Sequence, residues 1–119
     1  MNNPDIDKRV LDEFLELGGE DMRQALLAQV CKDLTRCHEA LDQHAEEEST
    51  PLDMAALCRT AHEIKGIAAT IGAVLLAKLA QHAETACSAH DEVTLQALLP
   101  DLRNQTGATA RFLAELAWA

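Results

Sequence analysis

One histidine, His62, lies among side chains that could support nucleophilic chemistry. Cys58, Arg59, Lys65 and Gly66 are three or four residues away, the spacing that brings side chains together on one face of a helix. A neutral imidazole is a nucleophile, and two neighbouring cations could compensate the charge of a phosphoryl group on its ring. A glycine inside a helix costs about 1 kcal/mol relative to alanine. Gly66 therefore indicates a close approach, either by a partner to the imidazole or by a neighbouring helix.

The pattern of apolar residues around His62 predicts that its ring faces solvent. At about 100° per residue, the apolar positions form one continuous face whose centre lies about 150° from His62. An exposed helix histidine is either an ordinary solvated side chain or a reactive group, and residue chemistry alone leaves both readings open. The apolar positions are Leu57, Ala61, Ile64, Ala68 and Ile71.

Helices must position these residues, because the chain is rich in Ala and Leu, poor in aromatic residues and lacks strand-like alternation. A short first helix is predicted to begin at Asp5 as N-cap and to end at Gly18-Gly19. The second helix should cover about residues 20–45. Its apolar stripe comprises Met22, Leu26, Val30, Leu34, Cys37 and Leu41.

The third helix, which carries His62, has the clearest predicted start. Thr50 suits the N-cap, Pro51 the first helical position, and Asp53 the acidic position of a capping box. This helix should end near Ile71, and Gly72 with Ala73 should form a tight turn.

A fourth helix is predicted from about 74 to 90, followed by a segment that Asp91 can cap. Pro100 should kink or break that segment, so the main fifth helix is expected over about 101–117. Four residues of the fourth helix are expected to face the core: Leu75, Leu79, Ala83 and Ala86.

The predicted fold is all-α. Four long amphipathic helices with short connections favour an antiparallel up-down-up-down four-helix bundle, with the short N-terminal helix as a cap. A length of 119 residues and the absence of an internal repeat predict a single domain over residues 1–119.

A formal net charge of −10 makes nucleic acid and anionic membranes unfavourable partners. No apolar run is long enough to span a bilayer, and the first residues lack the basic and apolar regions of a signal peptide. Four cysteines occur without a C-x-x-C pair. We therefore expect a cytoplasmic protein with reduced thiols, namely Cys31, Cys37, Cys58 and Cys87.

Residues 57–86 resemble the histidine-containing phosphotransfer (HPt) domain family. The family pattern is H-x-x-K-G, another glycine six residues later, and an acidic or amide residue late in the next helix. The resemblance implies that His62 is the phosphoacceptor, Lys65 a supporting lysine and Gly66 an access glycine. The matching residues are Ala61-His62-Glu63-Ile64-Lys65-Gly66, Ala68-Ala69, Ile71-Gly72-Ala73, Leu75, Leu79 and Ala83-Glu84.

Glu84 is the candidate for orienting the imidazole. His62 lies ten residues before Gly72, and Glu84 lies eleven after Ala73. At about 1.5 Å per residue, both are roughly 15–17 Å from the turn, at the same level of an antiparallel helix pair. Glu84 could then accept a hydrogen bond from Nδ1 and leave Nε2 as the nucleophile. An exposed surface glutamate without this role is the alternative.

The resemblance also implies a role and partners. The domain would be a phosphoryl carrier rather than an enzyme, passing the group between His62 and receiver aspartates of response regulators, with a hybrid histidine kinase as a further partner. The chain has no nucleotide-binding loop and no evident metal-binding carboxylate cluster, so we expect no cofactor here and Mg²⁺ on the partner receiver. A monomer is expected. The candidate receiver-docking residues beside Gly66 are Cys58, Arg59 and Ala69.

Three other readings compete with this one. The dimerisation and phosphoacceptor domain of a sensor kinase also begins its motif with His-Glu, but its usual proline five residues on is Ile67 here. A monomeric mass would favour the HPt reading. A carboxylate-bridged metal bundle needs Glu-x-x-His, which the chain lacks. A helical adaptor without phosphotransfer would be marked by loss of the histidine, yet His62 is present.

Overall fold

The computed structural model describes residues 4–46 and 53–117. Within these two ranges the chain forms helices and no strand, with one isolated β-bridge between Ile6 and Ala73. The all-α prediction is confirmed. The helices are α1 (Lys8–Glu16), α2 (Glu20–Glu46), α3 (Met54–Ile71), α4 (Val74–Ser88) and α5 (Glu92–Ala117).

The cap of α1 differs from the prediction. Asp7, not Asp5, is the N-cap, and its carboxylate accepts a hydrogen bond from the backbone N–H of Arg9. Because the helix begins at Lys8, the carboxylate of Asp5 lies too far back along the chain to serve the first free amides. Asp5 instead joins two elements, since its carbonyl accepts from the N–H of Val74 at 2.8 Å.

The start of α3 also corrects the prediction. Asp53 is itself the N-cap and accepts from the N–H of Ala56 at 3.0 Å, so its assignment as the acid of a capping box was wrong. The helix begins at Met54. The predicted roles of Thr50 and Pro51 lie outside the described residues.

Gly72 makes the turn between α3 and α4 and has a left-handed φ of 75°. A side chain there would also collide with the polypeptide, because an added Cβ would lie 2.7 Å from the carbonyl oxygen of Asp7. The N–H of Asp7 donates to the Gly72 carbonyl at 2.7 Å. The turn predicted at this glycine is therefore present, and it is also the point where the segment before α1 is attached.

The buried face of α4 begins one residue later than predicted. Leu76 and Ala80 are buried, whereas Leu75 is 38% exposed and Leu79 is half-buried. Leu75 lies about 100° around the helix from Leu76, at the edge of the face. The second half of the predicted face is correct, since Ala83 and Ala86 are buried.

The predicted break at Pro100 is wrong. One helix, α5, runs from Glu92 to Ala117 with the proline inside it. Leu95 before the proline and Leu102 after it are both buried, so core packing holds each half of the helix in place. This packing offsets the lost amide hydrogen bond that proline imposes. Asp91 caps the helix as expected and accepts from the N–H of Thr94.

Helices α2 to α5 pack in a closed cycle, in which α2 contacts α3 and α5, and α4 contacts α3 and α5. Contacts between α3 and α4 join earlier residues of one helix to later residues of the other, and the same holds for α2 and α5. Each of these two helix pairs is therefore antiparallel. Helix α1 packs on α2 and α3. The enclosed core consists mainly of Leu and Ala side chains. None of the helices described here combines the length and the apolar character needed to cross a membrane.

Candidate functional site

His62 lies on the outward face of α3, and its side chain is 80% exposed. Its neighbour Ala61 and, two residues on, Ile64 are buried against the core. The five positions of the predicted apolar face of α3 are all buried. The amphipathic pattern of this helix thus places the imidazole in solvent, as predicted.

Glu84 of α4 lies beside the ring of His62. The His62 Nδ1 and Glu84 Oε1 atoms are 2.5 Å apart, and the Glu84 side chain is only 20% exposed. An ionised carboxylate can only accept hydrogen bonds, so Nδ1 carries the hydrogen. In a neutral imidazole, Nε2 then keeps its lone pair for reaction. Helix register alone had predicted that these two residues lie at one level.

Lys65 binds the same carboxylate. Its Nζ donates to Glu84 Oε2 at 3.1 Å, so one carboxylate joins the lysine and the imidazole. Partial burial acts to raise the pKa of Glu84, but the hydrogen bonds from Lys65 and His62 outweigh it and lower that pKa below its ordinary value. Glu84 is thus an anion at neutral pH and a constant acceptor for both side chains.

Gly66 is exposed and lies inside α3, one turn after His62. A Cβ built there would have no atom of the described chain within 4 Å, apart from its own helical turn. Close packing of a neighbouring helix therefore does not explain this glycine. Of the two explanations that the sequence allowed for Gly66, the approach of a partner to the imidazole remains.

The family model for the Hpt domain matches residues 21–116, which is most of the chain. The chain belongs to the Hpt domain family. This family consists of phosphocarrier modules of two-component signalling rather than conventional enzymes. Searches of curated proteins and of solved structures gave no match.

The other predicted positions of this Hpt domain are on the surface around His62. Arg59 and Ala69 are exposed on α3, and Cys58 is half-buried one turn before the histidine. Arg59 adds a second cation near the ring, on the side away from Lys65. The candidate docking residues thus lie along one side of α3.

An ion pair between α2 and α3 was missed by the sequence analysis. Both guanidinium nitrogens of Arg36 bind the carboxylate of Glu63, the residue after His62. The hydrogen bond from Arg36 is the largest cause that lowers the pKa of Glu63. No spacing rule could have identified this pair, because its members are on different helices.

An apolar groove of about 360 Å³ opens on the α2 side of α3 and was also missed. It borders Gly66 and lies next to the Arg36–Glu63 pair, so it continues the exposed surface around His62. Its apolar character comes from residues of three helices, which no single helical pattern would reveal. It is lined by Phe14, Val30, Glu63, Gly66, Ile67, Thr70 and Ile71.

The cysteines require a correction. Cys58 of α3 and Cys87 of α4 form a disulfide with a Cα–Cα distance of 5.9 Å, so the expectation of reduced thiols is wrong for these two. Cys31 and Cys37 are free. Spacing in the sequence could not reveal the pair, which depends on how α3 and α4 face each other. Across residues 4–46 and 53–117, no three His, Cys, Asp or Glu side chains cluster so as to hold a metal ion.

Proposed function

We propose that this Hpt domain is a phosphorelay carrier in which His62 is the phosphoacceptor. The group would come from the phosphoaspartate of a receiver domain or a hybrid kinase and pass to the aspartate of another response regulator. One observation carries the proposal: an exposed imidazole whose Nδ1 is bound by Glu84, so that Nε2 is the free nitrogen.

In the forward step, the Nε2 lone pair forms a bond to phosphorus while the bond from phosphorus to the aspartate oxygen breaks. The carboxylate leaves, and the ring becomes a phosphorylated imidazolium that still carries its Nδ1 hydrogen. Glu84 stabilises that positive ring through the contact at Nδ1, and Lys65, one turn from His62 and bound to the same carboxylate, would compensate the charge of the phosphoryl oxygens. The second step is the same reaction in reverse, with a different aspartate.

Positioning and charge neutralisation supply most of the catalysis in phosphoryl transfer. We propose that the Mg²⁺ is held by the receiver and that this chain contributes no cofactor. The receiver would dock over Gly66, Arg59, Ala69 and Cys58, with the apolar groove beside Gly66 as a further contact. A modest and transient interface suits a carrier that must exchange partners.

We also propose that α2 to α5 form an up-down-up-down antiparallel bundle with α1 as its cap, and that the domain acts as a cytoplasmic monomer. The closed cycle of helix contacts supports a monomer, because the described helices enclose their own core. A sensor-kinase phosphoacceptor hairpin would instead need a second copy to complete its bundle.

The test is transfer of labelled phosphate from phosphorylated receivers to the purified chain. Wild type should gain an acid-labile, base-stable label, and His62→Gln should gain none. His82→Gln is the matched control, since His82 is an exposed histidine of α4 away from the Glu84 contact. A label that survives His62→Gln would place the acceptor elsewhere, whatever the result for His82→Gln.

A further inference from the structure

A covalent link crosses the α3–α4 interface close to the proposed phosphoacceptor. Cys58 is four residues before His62 on α3, and Cys87 is three residues after Glu84 on α4. At about 1.5 Å per residue, the disulfide is roughly 5–6 Å along the bundle from the His62–Glu84 hydrogen bond. The two links therefore join the same two helices at successive turns.

The four cysteines differ in their surroundings. Cys37 is buried, and burial raises the pKa of its thiol to about 12, which makes it unreactive. The Sγ of Cys31 donates to the carbonyl of Ala110 on α5. Cys58 and Cys87 are half-buried, and each lies about one turn from a member of the His62–Glu84 pair on its own helix.

The proposed cytoplasmic location bears on the role of the Cys58–Cys87 disulfide. Cytoplasmic thiol pools reduce most disulfides, so those that form in this compartment are usually transient and act in catalysis or redox sensing. A permanent structural staple is therefore the less suitable role for a disulfide in a cytoplasmic phosphorelay protein. Its position beside the reacting histidine gives it a way to influence transfer.

We propose that Cys58 and Cys87 are a thiol–disulfide exchange site that sets the rate of phosphoryl transfer at His62. This inference rests on the proposed function. A dithiol protein would reduce the site: one thiolate attacks a sulfur to form a mixed disulfide, and its second thiol releases the pair as two thiols while the reductant becomes a disulfide. A disulfide-bearing oxidant runs the same exchange in reverse.

The oxidised form is the faster carrier. The disulfide fixes the spacing of α3 and α4, which keeps the Glu84 carboxylate against Nδ1 of His62. Two thiol sulfurs cannot approach each other as closely as two bonded sulfurs. Reduction therefore moves α3 and α4 apart, or it rotates the two cysteine side chains, which lie one helical turn from the His62–Glu84 contact. We expect transfer to slow roughly three- to tenfold, the factor that corresponds to one modest hydrogen bond.

The experiment compares the full chain before and after treatment with dithiothreitol, with thiol alkylation and mass measurement to report the state of each cysteine. The transfer rate from a phosphorylated receiver should fall on reduction and recover on reoxidation. The ¹⁵N signals of the His62 ring should change in parallel, because they report the hydrogen on Nδ1. Cys58→Ser with Cys87→Ser should transfer at the reduced rate whatever the treatment, which also controls for effects on the receiver.

Cys31→Ser is the matched control, because it removes a half-buried thiol outside this pair and should keep the full redox response. Equal transfer rates in the two states would overturn the inference. So would failure of the reduced protein to re-form the Cys58–Cys87 bond when it is treated with a disulfide-bearing oxidant. Failure of His62 to accept phosphate in either state would refute the proposed function instead, and the ring spectrum would still decide whether the disulfide controls the His62–Glu84 contact.

Discussion

The carboxylate of Glu84 is shared between His62 and Lys65, and this sharing determines how each side chain can act. While the ring is unphosphorylated, Lys65 is held by Glu84 at 3.1 Å, although its side chain is 39% exposed. A phosphoryl group on Nε2 would offer Lys65 a second anion near its present partner. The lysine could then move a short distance to the phosphoryl oxygens without leaving the site.

Glu84→Gln should slow transfer by about three- to tenfold, because an amide oxygen can still accept from Nδ1 but has no charge to stabilise the imidazolium. Glu84→Ala should slow transfer further, since it also frees the ring to rotate. Single-turnover transfer from a phosphorylated receiver measures both. Glu115→Gln, an exposed site on α5, is the control. Equal rates for Glu84→Ala and wild type would remove Glu84 from the mechanism.

The same carboxylate predicts a pH dependence of stability. The folded state lowers the pKa of Glu84, so its stabilising contribution is present above the unfolded carboxyl pKa of about 4.3 and is lost as pH falls through the lower folded value. The stability difference between wild type and Glu84→Gln should therefore shrink as pH falls below about pH 4. Urea unfolding at a series of acidic pH values measures it. A difference that does not shrink between about pH 4 and pH 2 would contradict the lowered pKa.

At the scale of helix α3, Gly66 lowers the stability of the helix but leaves room for a partner to approach His62. Gly66→Ala should stabilise the domain by about 1 kcal/mol, since the Cβ meets open space and alanine is the better helix former. The same change should slow transfer, and Gly66→Leu should slow it more. Chemical denaturation and transfer rates measured on the same samples test both effects.

Gly107→Ala provides the contrast to Gly66. A Cβ at Gly107 would lie 3.0 Å from Nε2 of His38, so that variant should gain less stability or lose some. Its position on α5, away from His62, should leave transfer unchanged. A Gly66→Leu variant that transfers as fast as wild type would refute the access role.

The α3–α4 pair is also the element that the disulfide stabilises. The bond spans 29 residues, and the chain-entropy relation gives a stabilisation of about 3.5 kcal/mol for such a loop. Reduction should lower the unfolding free energy of wild type by up to that amount and leave Cys58→Ser/Cys87→Ser unchanged. Urea titration with and without reductant measures it, and an identical midpoint in both states would exclude a stabilising bond.

Prediction from sequence succeeded where one helix, or two helices joined by a defined turn, determine the answer. The apolar face of α3 fixed the exposure of His62, and counting residues from the Gly72 turn placed Glu84 beside it. It failed where the packing of helices against one another decides. The buried face of α4 depends on its packing against both α3 and α5, and the helix through Pro100 depends on burial on both sides of the proline. The disulfide and the Arg36–Glu63 pair required the three-dimensional arrangement.

At the scale of the whole molecule, the chain has a net charge of −10, but the surface around His62 also carries cationic and apolar side chains. Around His62 the exposed side of α3 carries Arg59 and Lys65, and Arg36 of α2 lies next to it. The groove beside Gly66 adds apolar area to the same surface. A receiver would meet here Arg59, the Lys65–Glu84 and Arg36–Glu63 ion pairs and apolar side chains, on a chain that is acidic as a whole, which favours one docking orientation.

Docking and chemistry can be separated at Ile67, which lines the groove and lies about 140° around α3 from His62. Ile67→Glu should raise the KM for a phosphorylated receiver about tenfold or more, because a charge facing an apolar partner surface loses its hydration. Labelling by phosphoramidate, a donor too small to use the groove, should keep its wild-type rate. Leu75→Glu is the matched control, since Leu75 is an exposed leucine on α4 next to α5, away from this groove. If Ile67→Glu and Leu75→Glu gave the same KM, receivers would not use the groove.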